Sequence, residues 1–204
     1  MSHIIPVDYA NAAQMVAAVL RAGDLIVLPT DTVYGVGCAL DAVALSRIFE
    51  AKQRPPERAV PVLLADADSV LLVARAFPDP ARRLAEAFWP GPLTLVLPKR
   101  DGLPSNLSYM PTIGVRVPDH AGARAIIAAG GGALAVTSAN RSDEPPALSV
   151  QEAMDYLADA VALYLDGGPS PGGVASTVVA FEGDELQMLR AGPISEADLR
   201  AALG

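Results

Sequence analysis

Three cations fall within the seven residues of the segment KQRPPER: Lys52, Arg54 and Arg58. The chain around them is acidic, with 15 Lys and Arg against 23 Asp and Glu and a formal net charge of -8. Lys52 and Lys99 are its only lysines. Pro55 and Pro56 stiffen the segment, because each ring fixes φ and the second proline pushes the first away from helical geometry. A stiff, cation-rich turn in an acidic protein has the chemistry of an anion site. Arginine offers a planar fork to phosphate or carboxylate oxygens, and lysine a mobile point charge. The same residues also suit a solvated turn that closes a helix with favourable positive charge.

Other candidate positions follow the ends of short aliphatic runs. PTDTVYGVG places Thr30, Asp31, Thr32, Tyr34, Gly35 and Gly37 after Leu25–Leu28. Small hydroxyls and glycines let a backbone approach a polar ligand closely. TSAN places Thr137, Ser138 and Asn140 after Ala133–Val136, where open α/β sheets bind ligands. In TIGVR, Arg116 alternates with Ile113, Val115 and Val117, so it faces away from them. That is either a solvent-facing strand charge or a cation aimed into a site. Arg190 follows Glu185–Leu189, and Ser176 and Thr177 follow GGVA, where turn chemistry would also explain them.

The elements that must position these residues can be read from caps and periodicity. Helices are predicted over Tyr9–Arg21 with Asp8 as cap, from Asp41 to about Ala51, over Asp68–Ala76, Pro80–Phe88 and Val150–Leu157, from Asp119 to Ala128, and after Ser195. Strands are predicted at Leu25–Leu28, Ala59–Ala65, Leu93–Leu97, Ile113–Val117, Ala133–Val136, Ala162–Leu165, Thr177–Phe181 and Glu185–Leu189. Strands and helices mix without strict alternation, which predicts one α/β domain over residues 1–204 with a twisted, mixed parallel and antiparallel open sheet and flanking helices. Arg141–Ser149 and Gly167–Gly173, rich in Pro and Gly, read as mobile loops over a site.

Composition narrows the function classes. The chain is 51% hydrophobic, 19% charged and only 5% aromatic, so its core is aliphatic and a disordered chain is excluded. One cysteine, Cys38, allows neither an internal disulfide nor a cysteine-cluster zinc site, and fits a reducing cytoplasm. No signal peptide or membrane-length apolar run is apparent. Neither GxGxxG nor a P-loop sequence is present. The acidic balance opposes broad nucleic-acid binding but leaves room for one local basic patch.

Taken together, LPTDTVYGVG (28–37), IFEAKQRPPERAVPVLL (48–64), WPGPLTLVLP (89–98), IGVRVPDH (113–120), TSANRS (137–142), STVV (176–179) and LRAGPIS (189–195) resemble the YrdC-type threonylcarbamoyl-AMP synthases in order and spacing. The pairing of Lys-x-Arg with Ser-x-Asn is the specific part. The resemblance implies a YrdC-like fold and an enzyme using L-threonine, bicarbonate and ATP with Mg²⁺ held mainly through phosphate oxygens. The products would be threonylcarbamoyl-AMP and pyrophosphate. The intermediate would pass to a downstream tRNA threonylcarbamoyl transferase complex in the cytoplasm, with at most weak contact between this chain and tRNA.

The same resemblance assigns roles by motif. Lys52 and Arg54 would be catalytic, contacting the reacting phosphate and carboxylate oxygens. Arg54, Arg58, Thr112, Ser138, Asn140, Pro146 and Arg190 would hold ATP. Thr32, Leu63, Arg116, Val136 and Ser176 would hold threonine, with Arg116 the partner of its carboxylate. Two positions depart from the pattern: Ser142-Asp143 stands where relatives often have Ser-Gly, and Leu63 where they often have His. The chain ends soon after LRAGPIS, which predicts the short type without an additional C-terminal domain. The principal alternative is a non-catalytic double-stranded RNA- or tRNA-binding YrdC-like protein. A silenced paralogue would lack the Lys-x-Arg and Ser-x-Asn pairs, and the carbamoyl-transfer module of hydrogenase maturation would need zinc-binding cysteines.

Overall fold

Among the described residues, runs of three to six residues, most of them rich in Val, Ile and Leu, make ten strands, and longer amphipathic segments make six α-helices. The computed structural model describes residues 3–204. In chain order the elements are β1 (His3–Pro6), α1 (Ala12–Arg21), β2 (Ile26–Leu28), β3 (Gly35–Cys38), α2 (Ala42–Lys52), β4 (Val62–Leu64), α3 (Asp79–Phe88), β5 (Leu93–Pro98), β6 (Thr112–Arg116), α4 (Ala121–Ala129), β7 (Ala133–Ser138), α5 (Val150–Leu157), β8 (Leu163–Asp166), β9 (Thr177–Glu182), β10 (Glu185–Arg190) and α6 (Glu196–Leu203).

All ten strands form one mixed sheet in the order β1-β8-β2-β3-β7-β4-β6-β5-β9-β10. Four neighbouring pairs, β1/β8, β8/β2, β4/β6 and β5/β9, are parallel. The others are antiparallel, so the expected mixed α/β sheet is what the chain forms.

Side-chain alternation divides the core between the two faces. Ile26 and Leu28 of β2, Leu63 of β4, Leu134 and Val136 of β7, and Leu163 and Leu165 of β8 share one face with α1 and α4. Val27, Val62, Leu64, Ala135 and Tyr164 point the other way and pack with α2, α3, α5 and α6. The α1/α4 layer packs on β2, β7 and β4, with Leu163 and Leu165 of β8 in the same cluster. Toward β6, β5 and β9 that same face becomes the floor of a cavity.

The predicted elements recur with shifted ends, α5 at the predicted bounds. Asp41 caps α2 by accepting from the amides of Val43 and Ala44, and Ser195 caps α6 through the Asp198 amide. Asn11 and His120, not Asp8 and Asp119, stand at the starts of α1 and α4. The helix expected over Asp68–Ala76 is only a 3₁₀ turn at Asp68–Leu72, because Ala74 leaves it to bridge Lys99 at the end of β5. Two strands, β1 and β3, were not expected from the sequence. Gly35 and Gly37 read as loop residues, yet a Cβ at these positions would lie 2.5 and 2.9 Å from the methyls of Val136. Glycine is what lets β3 lie flush against β7.

Candidate active site

The cavity over β4, β6, β5 and β9 has a volume of about 420 Å³. Its floor is the alternation partner of the core: Leu63, Thr94, Val96, Gly114, Val136 and Val178 face it, while Leu93, Leu95, Ile113, Val115 and Val179 face the opposite layer. Gly114 keeps the floor low, since a Cβ there would stand 3.2 Å from the Thr94 methyl. Around this floor, strand ends and loops bring in the polar groups: Thr30 and Thr32 after β2, Arg54 after α2, Arg116 ending β6, Ser138 ending β7, Ser176 before β9 and Arg190 ending β10. The charged residues of the lining are three arginines, Arg54, Arg116 and Arg190, with no carboxylate among them. In a chain of net charge -8, this is a locally positive concavity with an aliphatic base.

Arg116 is 6% exposed, so it is not a solvent-facing strand charge. Nε donates to the Gly91 carbonyl at 2.9 Å, Nη1 to Thr32 Oγ1 at 2.9 Å and Nη2 to Asp31 Oδ1 at 2.5 Å. The same Asp31 oxygen accepts the Asp119 amide at 3.0 Å. Burial lowers the guanidinium pKa and the Asp31 carboxylate opposes that shift. Thr32 Oγ1 also lies 3.1 Å from Thr30 Oγ1, and Thr30 donates to the Val33 carbonyl at 2.6 Å. The β2–β3 connection thus locks the orientation of Arg116.

On the other wall, Arg190 clasps Ser176: Nε and Nη2 donate to its carbonyl at 3.1 and 2.9 Å, and Nη2 reaches Oγ at 3.2 Å. Ser176 Oγ lies 2.7 Å from Thr94 Oγ1. Arg54 donates through Nη2 to the Ala59 carbonyl at 2.9 Å, which folds the Pro55-Pro56 turn back on itself.

Lys52 departs from expectation. Sequence alone puts it on an exposed turn; in the fold it is the last residue of α2 and 1% exposed. α2 runs on to Lys52 because Gln53 takes the left-handed conformation, φ 51°, that ends it. Nζ donates to the carbonyls of Ser138 and Asn140 and, at 3.3 Å, to Asn140 Oδ1. Burial, with a smaller push from Arg54, lowers the ammonium pKa to about 7. Asn140 is turned toward protein at both ends of its amide, since Nδ2 donates to the carbonyls of Arg141 and Glu144 at 2.8 and 2.6 Å. The Lys-x-Arg and Ser-x-Asn motifs are therefore one hydrogen-bonded unit.

Of the residues singled out by motif, Thr32, Arg54, Leu63, Arg116, Val136, Ser138, Ser176 and Arg190 line the cavity together. Lys52 and Asn140 are packed directly behind Ser138. Arg58 stands outside the lining and pairs with Ser142 and Asp143. Thr112 begins β6, on the same face as Arg116 but at the opposite end, and Pro146 is half-buried in the loop after Asn140. Thr94, Val96, Gly114 and Val178 are lining residues that motif reading missed. Their signal was available: Thr94 alternates with Leu93, Leu95 and Leu97, the pattern that set Arg116 apart. The two Pro- and Gly-rich loops are pinned beside the site. The Tyr34 amide donates to the Ala147 carbonyl at 2.9 Å, Gly173 N–H to the Thr32 carbonyl at 2.8 Å, and Ser170 Oγ to the Thr30 carbonyl at 3.0 Å.

Comparison with known proteins converges on one family. The Sua5/YciO/YrdC family, described as telomere recombination, matches residues 18–192. A putative threonylcarbamoyl-AMP synthase of Mycobacterium tuberculosis is 39% identical over 187 residues, which cover 91% of this chain and 86% of that protein. The crystal structure of Pyrococcus abyssi Sua5 complexed with L-threonine superposes with a TM-score of 0.90 at 35% identity, covering 95% of this chain and 57% of that one. Escherichia coli YciO superposes with a TM-score of 0.85 at 26% identity over 98% of this chain and 100% of its own. The chain thus spans most of the mycobacterial relative and just over half of the archaeal one.

Proposed function

This chain belongs to the Sua5/YciO/YrdC family, and from that premise we propose that it is a threonylcarbamoyl-AMP synthase that acts as a nucleotidyltransferase on L-threonine, bicarbonate and ATP. The observation that carries the reading is a cavity whose base is mostly aliphatic and whose charged lining groups, among the described residues, are three arginines. An amino acid with a small methyl-bearing side chain, joined to anionic carbamate and phosphate groups, suits that combination. Structures of relatives support the amino-acid half, since P. abyssi Sua5 is known with L-threonine bound.

In this reading the threonine methyl rests on Leu63 and Val136, and its carboxylate meets the two guanidinium N–H groups that Arg116 does not spend on Gly91, Thr32 and Asp31. Thr32 and Ser176 supply hydroxyls on either side. The amine and bicarbonate condense to a carbamate with loss of water. A carbamate oxygen then attacks the α-phosphorus, the bond to the β-phosphate oxygen breaks, and pyrophosphate leaves. No protein nucleophile takes part. Arg54 faces the charge that accumulates on the transferring group, Lys52 acts from behind Ser138, whose carbonyl it holds, and Arg58 and Arg190 hold the nucleotide. Ser138 borders it, while Asn140 positions Lys52 and the following loop, with Pro146 and Thr112 on the outer nucleotide side. Catalysis is then orientation plus electrostatic stabilisation in a site sheltered from water.

Mg²⁺ fits this site as a phosphate-borne ion. Among the described residues no group of three or more His, Cys, Asp or Glu could hold a metal, and the lining carries no carboxylate. Bound with ATP through phosphate oxygens, it would neutralise part of the triphosphate charge. We place the enzyme in the cytoplasm, delivering its product to the tRNA threonylcarbamoyl transferase machinery. Among the described residues no helix is long and apolar enough to cross a membrane. Pyrophosphate release tests the proposal: release that requires both L-threonine and bicarbonate, and falls with L-serine, is expected. Release indifferent to the amino acid would refute it.

A further inference from the structure

Arg58, the outermost cation of KQRPPER, is already engaged by an anion from its own chain. Nη1 donates to Asp143 Oδ1 at 3.0 Å and to Ser142 Oγ at 3.2 Å, across 85 and 84 residues of sequence. The turn that carries Asp143 does not drift there by chance. The Ser142 amide donates to the Lys52 carbonyl at 2.8 Å, and the Asn140 side-chain amide binds the carbonyls of Arg141 and Glu144. Asp143 itself adopts a left-handed backbone, φ 68°, a conformation that Asp and Asn tolerate better than other non-glycine residues. The buried Lys52–Asn140 unit thus fixes a tight turn, and the turn presents a carboxylate to Arg58.

We infer that Asp143 is an internal competitor for Arg58 that sets the affinity of this chain for the nucleotide's phosphates. The inference rests on the proposal above that Arg58 holds ATP. One guanidinium cannot serve two anions in full. A phosphate must either displace the carboxylate or share the fork with it, and in both cases the two negative charges repel. The pair is open to solvent, with side-chain exposures of 49% for Arg58 and 75% for Asp143, so the contact is weak and can exchange within turnover. Asp143 is therefore an affinity-determining residue, with no part in the bond-making step.

The test is calorimetric titration of ATP with Mg²⁺ into the native chain, Asp143→Asn, Arg58→Ala and the double variant. Asparagine keeps the left-handed backbone and the size of the side chain while removing the charge, and thermal melting checks that the fold is retained. Asp143→Asn is expected to bind ATP roughly two- to fivefold more tightly, the range that an exposed ion pair supports. Arg58→Ala is expected to weaken ATP, and Asp143→Asn to gain clearly less in that background, the remainder being its field on Arg54. Unchanged or weaker ATP binding by Asp143→Asn would overturn the inference and leave the synthase reading standing. An equal gain with and without Arg58 would also overturn it, by showing a diffuse charge effect instead of competition for one guanidinium. Failure of all four proteins to bind ATP would overturn both readings.

Discussion

Lys52, at the end of α2, donates its ammonium protons to the carbonyl oxygens of Ser138 and Asn140, 86 and 88 residues further along the chain. This contact joins the Lys-x-Arg and Ser-x-Asn motifs and makes the end of β7 and the end of α2 a single part. It also changes what a mutation at Lys52 will do. A lysine on an exposed turn would contribute little to stability; a buried one that satisfies three oxygens contributes more. Lys52→Ala is expected to cut pyrophosphate release by orders of magnitude and to destabilise the fold by roughly 1–3 kcal/mol, from the stranded carbonyls. Chemical denaturation with parallel turnover assays checks both. A variant of native stability and near-native turnover would contradict the placement.

The depressed pKa of Lys52 gives stability a pH dependence of defined sign. In the unfolded chain a lysine keeps its proton up to about pH 10.4, whereas in the fold Lys52 releases it near about 7. Between those values the unfolded state binds more protons, so this group makes stability rise with pH, by at most about 1.4 kcal/mol per unit. The cost of burying the charge is fully present below pH 7 and is relieved above it. The unfolding free energy of the native chain is therefore expected to gain on that of Lys52→Met between pH 7 and 9. A constant difference over that window would show that Lys52 titrates normally.

Asp31 and Arg116 form the most buried ion pair of the site, with side-chain exposures of 13% and 7%. Removing one partner of a buried pair leaves the other charge uncompensated. Asp31→Asn is expected to cost roughly 3–5 kcal/mol of stability and to raise the KM for threonine, because the fork of Arg116 loses its stop. Arg116→Ala is expected to weaken threonine far more than ATP in equilibrium titrations. Equal loss of both ligands would assign Arg116 a purely structural role.

Thr94 touches Ser176 through its hydroxyl at 2.7 Å from the floor of the cavity. Thr94→Val keeps the shape and removes that partner, so Ser176 is held by Arg190 alone. The expected result is a threonine KM raised by up to about tenfold, the worth of one hydrogen bond, with ATP affinity unchanged. Thr94→Ser should restore the native value. Failure of serine to rescue would point to the methyl group instead.

Much of this arrangement is legible from residue patterns where local physics decides. The Asp41 and Ser195 caps, the bounds of α5 and the outward alternation of Arg116 all depend on near neighbours in sequence. Legibility ends where a distant contact decides. β3 reads as loop because its glycines are there to meet Val136, a residue 101 and 99 positions away, and nothing near them in sequence shows it. His120 begins α4 in place of Asp119 because the Asp119 amide is held by Asp31 while His120 Nδ1 accepts the Ala123 amide. Lys52 reads as exposed because charges and prolines crowd after it, while the oxygens that bury it come from β7. The floor residues Thr94 and Val96 carry a periodic signal but no charge, and only the uncovered sheet face gives them a role.

The most direct test of the central claim is mass-spectrometric detection of the adenylate formed from ATP, L-threonine and ¹³C-bicarbonate. The account predicts a threonylcarbamoyl-AMP ion one mass unit heavier than the product made with unlabelled bicarbonate, lost in Lys52→Ala and in Arg116→Ala. An adenylate without the labelled carbon, or threonine-independent cleavage of ATP, would contradict it.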